Sequence, residues 1–350
     1  MQALASRKLR SHLARVARSI PLLERVPAFF ARCGVPAGAR LVAGVSGGMD
    51  SSVLLDLLVK CGFEVVVAHL NHNLRGEAAD RDAKCAEALA AARGCAFHLH
   101  SCDVAKRAEE TGDSVETAGR EIRRSWFAEV ASRAGTEIIC LAHHADDQAE
   151  TLLWNLVRGC GLHGAGGMAP DDWQVIDGRR LRILRPLLGC REVELERYAF
   201  RHKLDWREDL SNESLAHTRN RIRLEAIPAL AAACGRDPVP GLARFAELAR
   251  GDDDLIDGLT AATLQRLVDE SGSLEAKVFR AWAMPLQRRL VAMWLGRGGV
   301  RRVGLAEADA VLKVACSTGR PARVQLSGGW RVRRTGGRLF LERTAAEGKE

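Results

Sequence analysis

Short apolar runs alternate with amphipathic stretches over the first half of the chain. The runs predict four buried strands, over residues 41–45, 63–70, 96–102 and 137–142. Apolar positions at helical spacing predict four helices, over residues 51–60, 77–93, 115–134 and 146–158. This alternation is typical of a parallel sheet with helices on both faces, so the predicted fold class is α/β.

The pattern changes after about residue 205. Residues 205–212 are polar and turn-prone, and residues 218–230 predict a basic helix broken by Pro228. Helical segments rich in alanine and leucine follow as far as residue 295. Three strands are then predicted, over residues 323–326, 330–334 and 338–341, and the last two form a hairpin across a Gly-Gly pair.

The chain is therefore predicted to have four parts. Residues 1–38 form a basic helical extension, residues 39–217 an α/β domain, residues 218–240 a basic connector helix and residues 241–350 a smaller α+β domain. The first twenty residues contain no acid and several arginines, which is also typical of an organellar presequence. Both interpretations of that segment stay open.

Composition narrows the class of protein. Hydrophobic residues make up 47% of the chain, which is ordinary for a globular protein. No apolar run approaches the roughly 18 residues of a membrane-spanning helix, so no membrane segment is predicted. The ten cysteines are scattered without a Cys-x-x-Cys pair, which favours reduced thiols over a zinc or redox motif.

The charge balance is basic, with 52 basic against 44 acidic side chains and a net charge of +8. Only eight of the basic residues are lysines. Because a guanidinium group matches phosphate bidentately and stacks on bases, an excess of arginine is compatible with RNA binding. A GC-rich genome would also enrich arginine, so the two explanations stay open.

The sharpest motif lies at residues 45–52, between the first predicted strand and its helix. Gly47 and Gly48 allow a tight turn that aims backbone N–H groups at one anion, and the following helix adds its positive end. Asp50 would repel bare phosphate but suits a Mg²⁺ ion that bridges phosphates. The Ser-Gly-Gly triplet recurs at residues 327–329 without a following helix, so that copy predicts a turn.

Two more polar clusters follow predicted strands, at the sheet edge where open α/β folds bind ligands. Residues 69–75 carry two histidines and two asparagines after the second strand. Residues 143–151 follow the fourth strand, and a helix that starts near residue 145 would place Asp147 and Glu150 on one face.

These motifs resemble those of the lysidine synthetase family, which belongs to the PP-loop ATP pyrophosphatases. Residues 46–51 look like the phosphate loop of that superfamily. The family patterns His-x-Asn-His-x-Leu-Arg, His-x-Asp-Asp-Gln-x-Glu-Thr and Arg-Gly-x-Gly-Leu-x-Gly-x-x-Gly-Met are matched in order, at residues 69–75, 144–151 and 158–168. Residues 209–212 and the Arg-Asn-x-Ile-Arg run at 219–223 complete the set, so the resemblance covers roughly residues 40–230.

The resemblance implies an adenine-nucleotide alpha-hydrolase-like (Rossmann-like) catalytic domain and a C-terminal domain that binds tRNA. It implies an AMP-forming ligase that uses ATP and Mg²⁺ to couple L-lysine to the wobble cytidine of the isoleucine tRNA with a CAU anticodon. A cytoplasmic location is expected, with a homodimer as one assembly to consider. On this hypothesis, Glu150 attracts an ammonium group of lysine.

The same resemblance implies the residues of the site. The catalytic residues would be Asp50, Asp147, Glu150, Arg219 and Arg223. The nucleotide-binding residues would be Ser46, Gly47, Gly48, Met49, Asp50, Ser51, His69, Asn71 and His144. Asp50 and Asp147 would hold the metal. Phosphates of the tRNA would be held by Arg219, Arg223, Arg331, Arg333 and Arg334, and the base that deprotonates lysine stays open among His143, His144 and Glu150.

Three other functions stay open. A tRNA thiolase of the same superfamily would often show a Cys-x-x-Cys pair, which this chain lacks. A small-molecule AMP-forming synthetase is disfavoured by the later motifs and the basic C-terminal part. A non-catalytic nucleotide- or RNA-binding protein is disfavoured by the carboxylates of Asp50, Asp147 and Glu150.

Overall fold

The computed structural model describes residues 21–73, 77–207, 218–301, 303–319 and 322–344. The predictions made for residues 1–20, for residues 74–75 and for residues 209–212 lie outside the described residues. The chain divides into two compact units, Met1–Arg250 and Gly251–Glu350. The predicted four-part division, with boundaries after residues 38, 217 and 240, stays a prediction.

A six-stranded sheet forms the centre of the first unit and confirms the predicted parallel α/β fold. Its strands are β1 (Arg40–Gly44), β2 (Glu64–Asn71), β3 (Ala96–Ser101), β4 (Ile138–Cys140), β5 (Asp171–Ile176) and β6 (Arg179–Leu184). They lie in the order β3-β2-β1-β4-β6-β5, and all neighbours are parallel except β5 and β6. The β5–β6 hairpin is absent from the sequence prediction, although Asp177 and Gly178 between its strands form a hairpin signal.

Helices cover both faces of this sheet. They are α1 (Leu22–Arg32), α2 (Met49–Lys60), α3 (Glu77–Ala91), α4 (Val104–Thr111), α5 (Val115–Ala134), α6 (Ala145–Val157), α7 (Leu162–Ala165) and α8 (Glu192–Arg201). Leu41 and Ala43 of β1 belong to the core that includes residues of α1, α2 and α8, whereas Val42 belongs to the core that includes α5. Successive strand residues thus bury both faces, as in other parallel sheets.

The carboxyl ends of β1, β2 and β4 lie at one edge of the sheet. β1 is between the other two, because Gly44 pairs with Ala68 of β2 and Ala43 pairs with Cys140 of β4. The loops that follow these strands carry the phosphate-loop motif, the histidine and asparagine cluster, and the acidic motif. The topology therefore brings together three motifs that are far apart in sequence.

A helical segment begins at residue 218. It consists of α9 (Thr218–Arg221), a π-helical turn (Ile222–Ala226) and α10 (Ile227–Cys234). The helix continues past Pro228 instead of breaking there. Proline has no N–H to donate to the carbonyl four residues earlier, and a wider turn, in which Ile227 donates to Ile222, precedes it. The long helix α11 (Val239–Leu267) follows and crosses the division between the two units.

The second unit contains a four-stranded antiparallel sheet in the order β7-β10-β9-β8. Its elements are β7 (Leu274–Glu275), a 3-10 helix (Lys277–Ala281), α12 (Met284–Arg297), α13 (Leu305–Cys316), β8 (Arg323–Leu326), β9 (Trp330–Thr335) and β10 (Arg338–Arg343). The predicted hairpin across Gly336 and Gly337 is confirmed, and both glycines have positive φ. Among the helices that the structure describes, none is long and apolar enough to cross a membrane.

Candidate active site

The phosphate loop runs from the end of β1 into α2. Gly47 has a φ of 90°, a conformation that favours glycine, and Gly48 precedes the first turn of α2. The hydroxyls of Ser51 and Ser52 both donate to the Gly48 carbonyl, at 2.9 and 3.0 Å. Those two serines therefore hold the loop in shape. Ser46 is exposed, and its Oγ accepts from the Gly48 N–H at 3.3 Å and lies 3.2 Å from Ser51 Oγ.

Two residues predicted to bind the nucleotide are buried beneath the loop. His69 Nδ1 lies 2.7 Å from the Val45 carbonyl oxygen, so Nδ1 carries the proton and donates it. Burial lowers the pKa of His69, which keeps the ring neutral. Asn71 donates to Asp80 at 3.0 Å and accepts from the Asn73 N–H at 2.9 Å. His69 thus supports the backbone of the loop, and Asn71 supports the segment that follows β2. Their contact with a nucleotide stays a prediction.

An imidazole lies among three carboxylates at the sheet edge. His144 is 1% exposed, its Nε2 lies 3.6 Å from Asp50 Oδ2 and 3.5 Å from Asp147 Oδ2, and its Nδ1 lies 3.6 Å from Asp146 Oδ2. Burial alone would lower the pKa of His144, but the three carboxylates outweigh it and raise the pKa to about 10. The carboxylates therefore favour the protonated form of the ring.

Asp50 and Asp147 fit the predicted Mg²⁺ site. Their carboxylates approach the same nitrogen of His144, so they converge on one region. Asp50 Oδ1 is buried and has no hydrogen-bond partner among the described residues. Carboxylate oxygens are the ligands that Mg²⁺ prefers, and a buried oxygen without a partner suits metal ligation.

The two consecutive aspartates of α6 have different partners. Asp146 accepts from Arg191, the residue that precedes α8, at 2.9 Å. Burial would raise the pKa of Asp146, but His144 and Arg191 hold it well below its usual range. Asp147 accepts instead from the backbone N–H of His144 at 2.9 Å and from Arg219 Nη2 at 2.7 Å. Asp146 therefore ties α6 to α8, and Asp147 faces the site.

One guanidinium group joins the two acids that were predicted to face the substrates. Arg219 donates to Asp147 at 2.7 Å and, from Nε, to Glu150 Oε2 at 2.6 Å. Glu150 is 3% exposed, and burial raises its pKa although Arg219 opposes that shift. Arg223 Nε lies 3.9 Å from Glu150 Oε1, and its Nη2 donates to Glu192. The structure thus brings the acids of α6 and the arginines of the connector into one cluster.

Known sequences share this arrangement of domains. The pattern of a PP-loop domain matches residues 23–230, and that of a TilS substrate binding domain matches residues 274–340. A tRNA(Ile)-lysidine synthase of Gloeobacter violaceus is 35% identical over 282 residues, which cover 79% of this chain and 83% of that protein. The chain belongs to the tRNA(Ile)-lysidine synthase family.

Other members of the family differ from this chain in length. A tRNA(Ile)-lysidine synthase of Geobacter sulfurreducens is 38% identical over 318 residues, which cover 87% of this chain but 65% of that protein. The matched region spans 50% of the relative in Clostridium acetobutylicum. Among solved structures, a U34-tRNA thiolase from Methanococcus maripaludis aligns with a TM-score of 0.52 at 18% identity, over 67% of this chain and 78% of that one. That likeness shows a shared fold.

In this member of the tRNA(Ile)-lysidine synthase family, α5 adds a residue to the cleft that the sequence prediction lacks. Arg123 Nη2 lies 3.2 Å from His72 Nε2. Desolvation and the like charges of Arg120 and Arg219 lower the pKa of Arg123. Guanidinium groups that repel one another favour an anion between them. The only sequence signal is a cluster of arginines at residues 120–124, which a solvated helix face would also explain.

The glycine-rich loop after α6, also a family motif, is packed rather than open. Gln148 Nε2 donates to the Gly166 carbonyl at 3.2 Å, and the Met168 N–H donates to Gln148 Oε1 at 2.8 Å. Arg250 also donates to the Gly166 carbonyl, at 2.9 Å. Gly167 has a φ of 58°, and a Cβ there would lie 2.7 Å from Gln148 Oε1. These glycines permit close packing against α6.

Proposed function

We propose that the protein ligates L-lysine to C2 of the wobble cytidine of the isoleucine tRNA with a CAU anticodon. ATP would first adenylate O2 of the cytidine with release of pyrophosphate, and lysine would then displace AMP. The observation that carries the proposal is the bridge from Arg219 to Asp147 and Glu150 at the same sheet edge as Asp50 of the phosphate loop. The names of the relatives also support it.

In the first step, the cytidine oxygen attacks the α-phosphorus in line while pyrophosphate leaves. Residues 46–51 would hold the pyrophosphate at the N-terminus of α2, where backbone N–H groups and the helix dipole favour an anion. Asp50 and Asp147 would hold Mg²⁺, which supplies positive charge against that of the leaving group. Positioning and charge neutralisation would account for most of the rate enhancement.

In the second step, the ε-amine of lysine must be neutral to attack C2, although its usual pKa is about 10.4. Asp147 and Glu150 would favour the protonated form of any amine beside them, so they suit the α-ammonium of lysine rather than the nucleophile. Arg219 and Arg223 lie next to these acids and suit the α-carboxylate. The predicted attraction of Glu150 for an ammonium group would therefore act on the α-amino end of lysine.

The candidate bases for the ε-amine differ in protonation. The carboxylates around His144 raise its pKa to about 10 and favour the protonated ring, which suits proton acceptance less well than a neutral imidazole. Burial lowers the pKa of His143 to about 4, and its Nδ1 is buried without a hydrogen-bond partner among the described residues. A neutral His143 would therefore serve as the base, because Glu150 is assigned to the α-ammonium of lysine.

We assign the tRNA phosphate contacts of the second unit to one face of its sheet. Residues 322–344 contain six arginines and one glutamate. Arg323 and Arg333 are directly opposed on β8 and β9, and an anion between them would offset the repulsion of like charges. Arg331 and Arg333 share one glutamate partner. Arg334, predicted with them, donates to the Gly319 carbonyl at 2.9 Å, so Arg323 is the better third contact.

Incorporation of labelled lysine tests the proposal. The protein is incubated with ATP, Mg²⁺ and a transcript of the isoleucine tRNA with a CAU anticodon, and retention of label in the RNA is measured together with AMP and pyrophosphate. Retained label supports the proposal, and a transcript with a changed wobble base serves as the control. Release of pyrophosphate that depends on tRNA without retained lysine would indicate a different nucleophile, with sulfur the first to test.

Location and assembly belong to the same proposal. We expect the enzyme in the cytoplasm, where its tRNA substrate is used, and fractionation of cells tests that expectation. We also propose a homodimer, which sedimentation of the full chain with and without tRNA would test.

A further inference from the structure

Three residues form a closed set of contacts around the phosphate loop. The backbone N–H of Arg207 donates to the Gly47 carbonyl at 3.0 Å. The side chain of Arg207 pairs through Nε with Asp82 Oδ1 of α3 at 3.2 Å. Asp82 in turn abuts the loop, because a Cβ on Gly47 would lie 3.1 Å from the Asp82 carbonyl oxygen. Gly47 is therefore confined between α3 on one side and residue 207 on the other.

Residue Gly47 is the point of the loop where such confinement matters most. Its φ of 90° lies in the region that only glycine adopts readily, and a residue without a side chain also has the greatest backbone freedom to lose. A phosphate site built from backbone N–H groups depends on the direction of each peptide unit. Contacts that fix the Gly47 peptide therefore favour the geometry that binds an anion.

The ion pair also removes an electrostatic conflict. Asp82 carries a negative charge beside a loop that is suited to a polyanion, and its field already reaches His69 beneath the loop. An unpaired carboxylate there would repel phosphate, whereas the guanidinium of Arg207 neutralises it. The Asp82 side chain is 18% exposed and that of Arg207 is 39% exposed, so the pair is only partly screened by solvent.

We propose that Arg207 is a positioning residue that holds the phosphate loop against α3. It does so through its ion pair with Asp82 and its backbone contact with Gly47, two contacts that together we call the clasp. Arg207 acts through these two residues and does not touch the nucleotide. The segment around residue 207 thereby contributes to ATP binding, although its sequence carries no phosphate-binding motif. This inference rests on the proposed use of ATP.

Binding of Mg²⁺-ATP to the full chain, measured by titration calorimetry without tRNA or lysine, tests the clasp. Arg207→Ala is expected to raise the Kd for ATP by about three- to tenfold, the range expected for one partly exposed ion pair that also orders a loop. Asp82→Asn distinguishes the ordering effect of the ion pair from the repulsion between the Asp82 carboxylate and phosphate. Removing a negative charge near the loop would by itself tighten ATP binding, whereas breaking the clasp weakens it.

The expected result is weaker binding by both single variants and no further weakening in the double variant, because both remove the same contact. Tighter binding by Asp82→Asn, or unchanged binding by Arg207→Ala, would overturn the inference. Arg288→Ala is the matched control, since the Arg288 side chain is also 39% exposed and pairs with an aspartate in the second unit. It should leave the Kd unchanged, and a change equal to that of Arg207→Ala would also overturn the inference.

The two proposals fail in different ways. A wild-type protein that binds no ATP would overturn the proposed function and the clasp with it. A wild-type protein that binds ATP and incorporates lysine, with variants that bind ATP equally well, would overturn the clasp alone. Thermal unfolding of each variant checks that it is folded, and Arg207→Gln, which keeps the polar stem, replaces Arg207→Ala if the alanine variant unfolds.

Discussion

The guanidinium group of Arg219 lies 2.6 Å from the carboxylate of Glu150, across 69 residues of sequence. The same group reaches Asp147 at 2.7 Å. Two buried or half-buried acids on one face of α6 thereby share one cationic side chain from the connector. The position of Arg219 thus controls the charge of the region proposed to take lysine.

Replacing Arg219 with alanine is expected to lower lysine incorporation by about a hundredfold or more, because the variant loses a charged group proposed to bind substrate and its hydrogen bonds to two acids. Labelled lysine retained in the tRNA transcript measures the effect. Arg221→Ala is the control, since Arg221 is exposed and donates only to Thr218 among the contacts described. Equal losses in the two variants would contradict a specific role for Arg219.

Replacement of the adjacent aspartates is expected to separate chemistry from stability. Asp147→Asn should reduce tRNA-dependent pyrophosphate release by about 10²–10³-fold with little change in Tm. Asp146→Asn should instead destabilise the fold by roughly 1–3 kcal/mol, because Arg191 loses its buried carboxylate partner. Pyrophosphate release and thermal unfolding measure the two effects. The interpretation fails if both variants lose activity and stability in the same proportion.

An alanine at Gly167 is expected to destabilise the protein by about 1–3 kcal/mol, because Gly167 has positive φ and a Cβ there would collide with Gln148. Chemical denaturation measures the change. Gly161→Ala is the control, since Gly161 has a φ of −82° and a Cβ added there would meet nothing within 4 Å. A similar loss at both glycines would show that the loop is sensitive to any added side chain.

The stability of the first unit is expected to depend on pH through Asp56. Burial would raise the pKa of Asp56, but Lys60, Tyr198 and Arg93 hold it below its usual range. A carboxyl group with a lower pKa in the folded state contributes stability above its unfolded pKa, and that contribution is lost as pH falls through the folded pKa. Between pH 7 and pH 3 the wild type should therefore lose more stability than Asp56→Asn. Parallel loss in both, followed by chemical denaturation, would contradict this assignment.

Binding of tRNA is expected to weaken steeply with salt. If about six phosphates are contacted, affinity should fall by roughly 10³-fold or more between low and moderate salt, because each contact releases counterions. Replacing both Arg323 and Arg333 with glutamine should reduce the slope of log Kd against log salt by about two. Arg266→Gln, at an exposed position of α11, should not. A flat salt response of the wild type would exclude a phosphate-based contact.

Much of the fold could be predicted from the sequence because its signals are local. The apolar runs around β1 and β2 and the glycines at residues 47 and 48 each predict a strand or a turn from a few neighbouring residues. Parallel topology then places the ends of β1, β2 and β4 together without further information. The β5–β6 hairpin has no continuous apolar run of the kind that marks β1 and β2, because arginines alternate with apolar residues in β6, the pattern of a half-buried strand.

The pairing within the site could not be predicted in the same way. Nothing in the local sequence shows that Asp146 pairs with Arg191, 45 residues away, whereas Asp147 pairs with Arg219, 72 residues away. Nor does it show that His144 is buried among three carboxylates that raise its pKa. These properties depend on which helices pack together, and periodicity reports only which face of each helix is buried.

The π-helical turn at Ile222–Ala226 changes the directions in which side chains leave the connector helix. Such a turn holds one residue more than an α-helical turn, which corresponds to a rotation of about 100° about the helix axis. Everything before the turn is therefore rotated relative to everything after it, compared with an unbroken α-helix. Arg219 stands on one side of this offset and α10 on the other. The number of residues in the connector therefore decides, as much as their types, which side chains face α6. A single-residue deletion within the turn would redirect the arginines without replacing any of them.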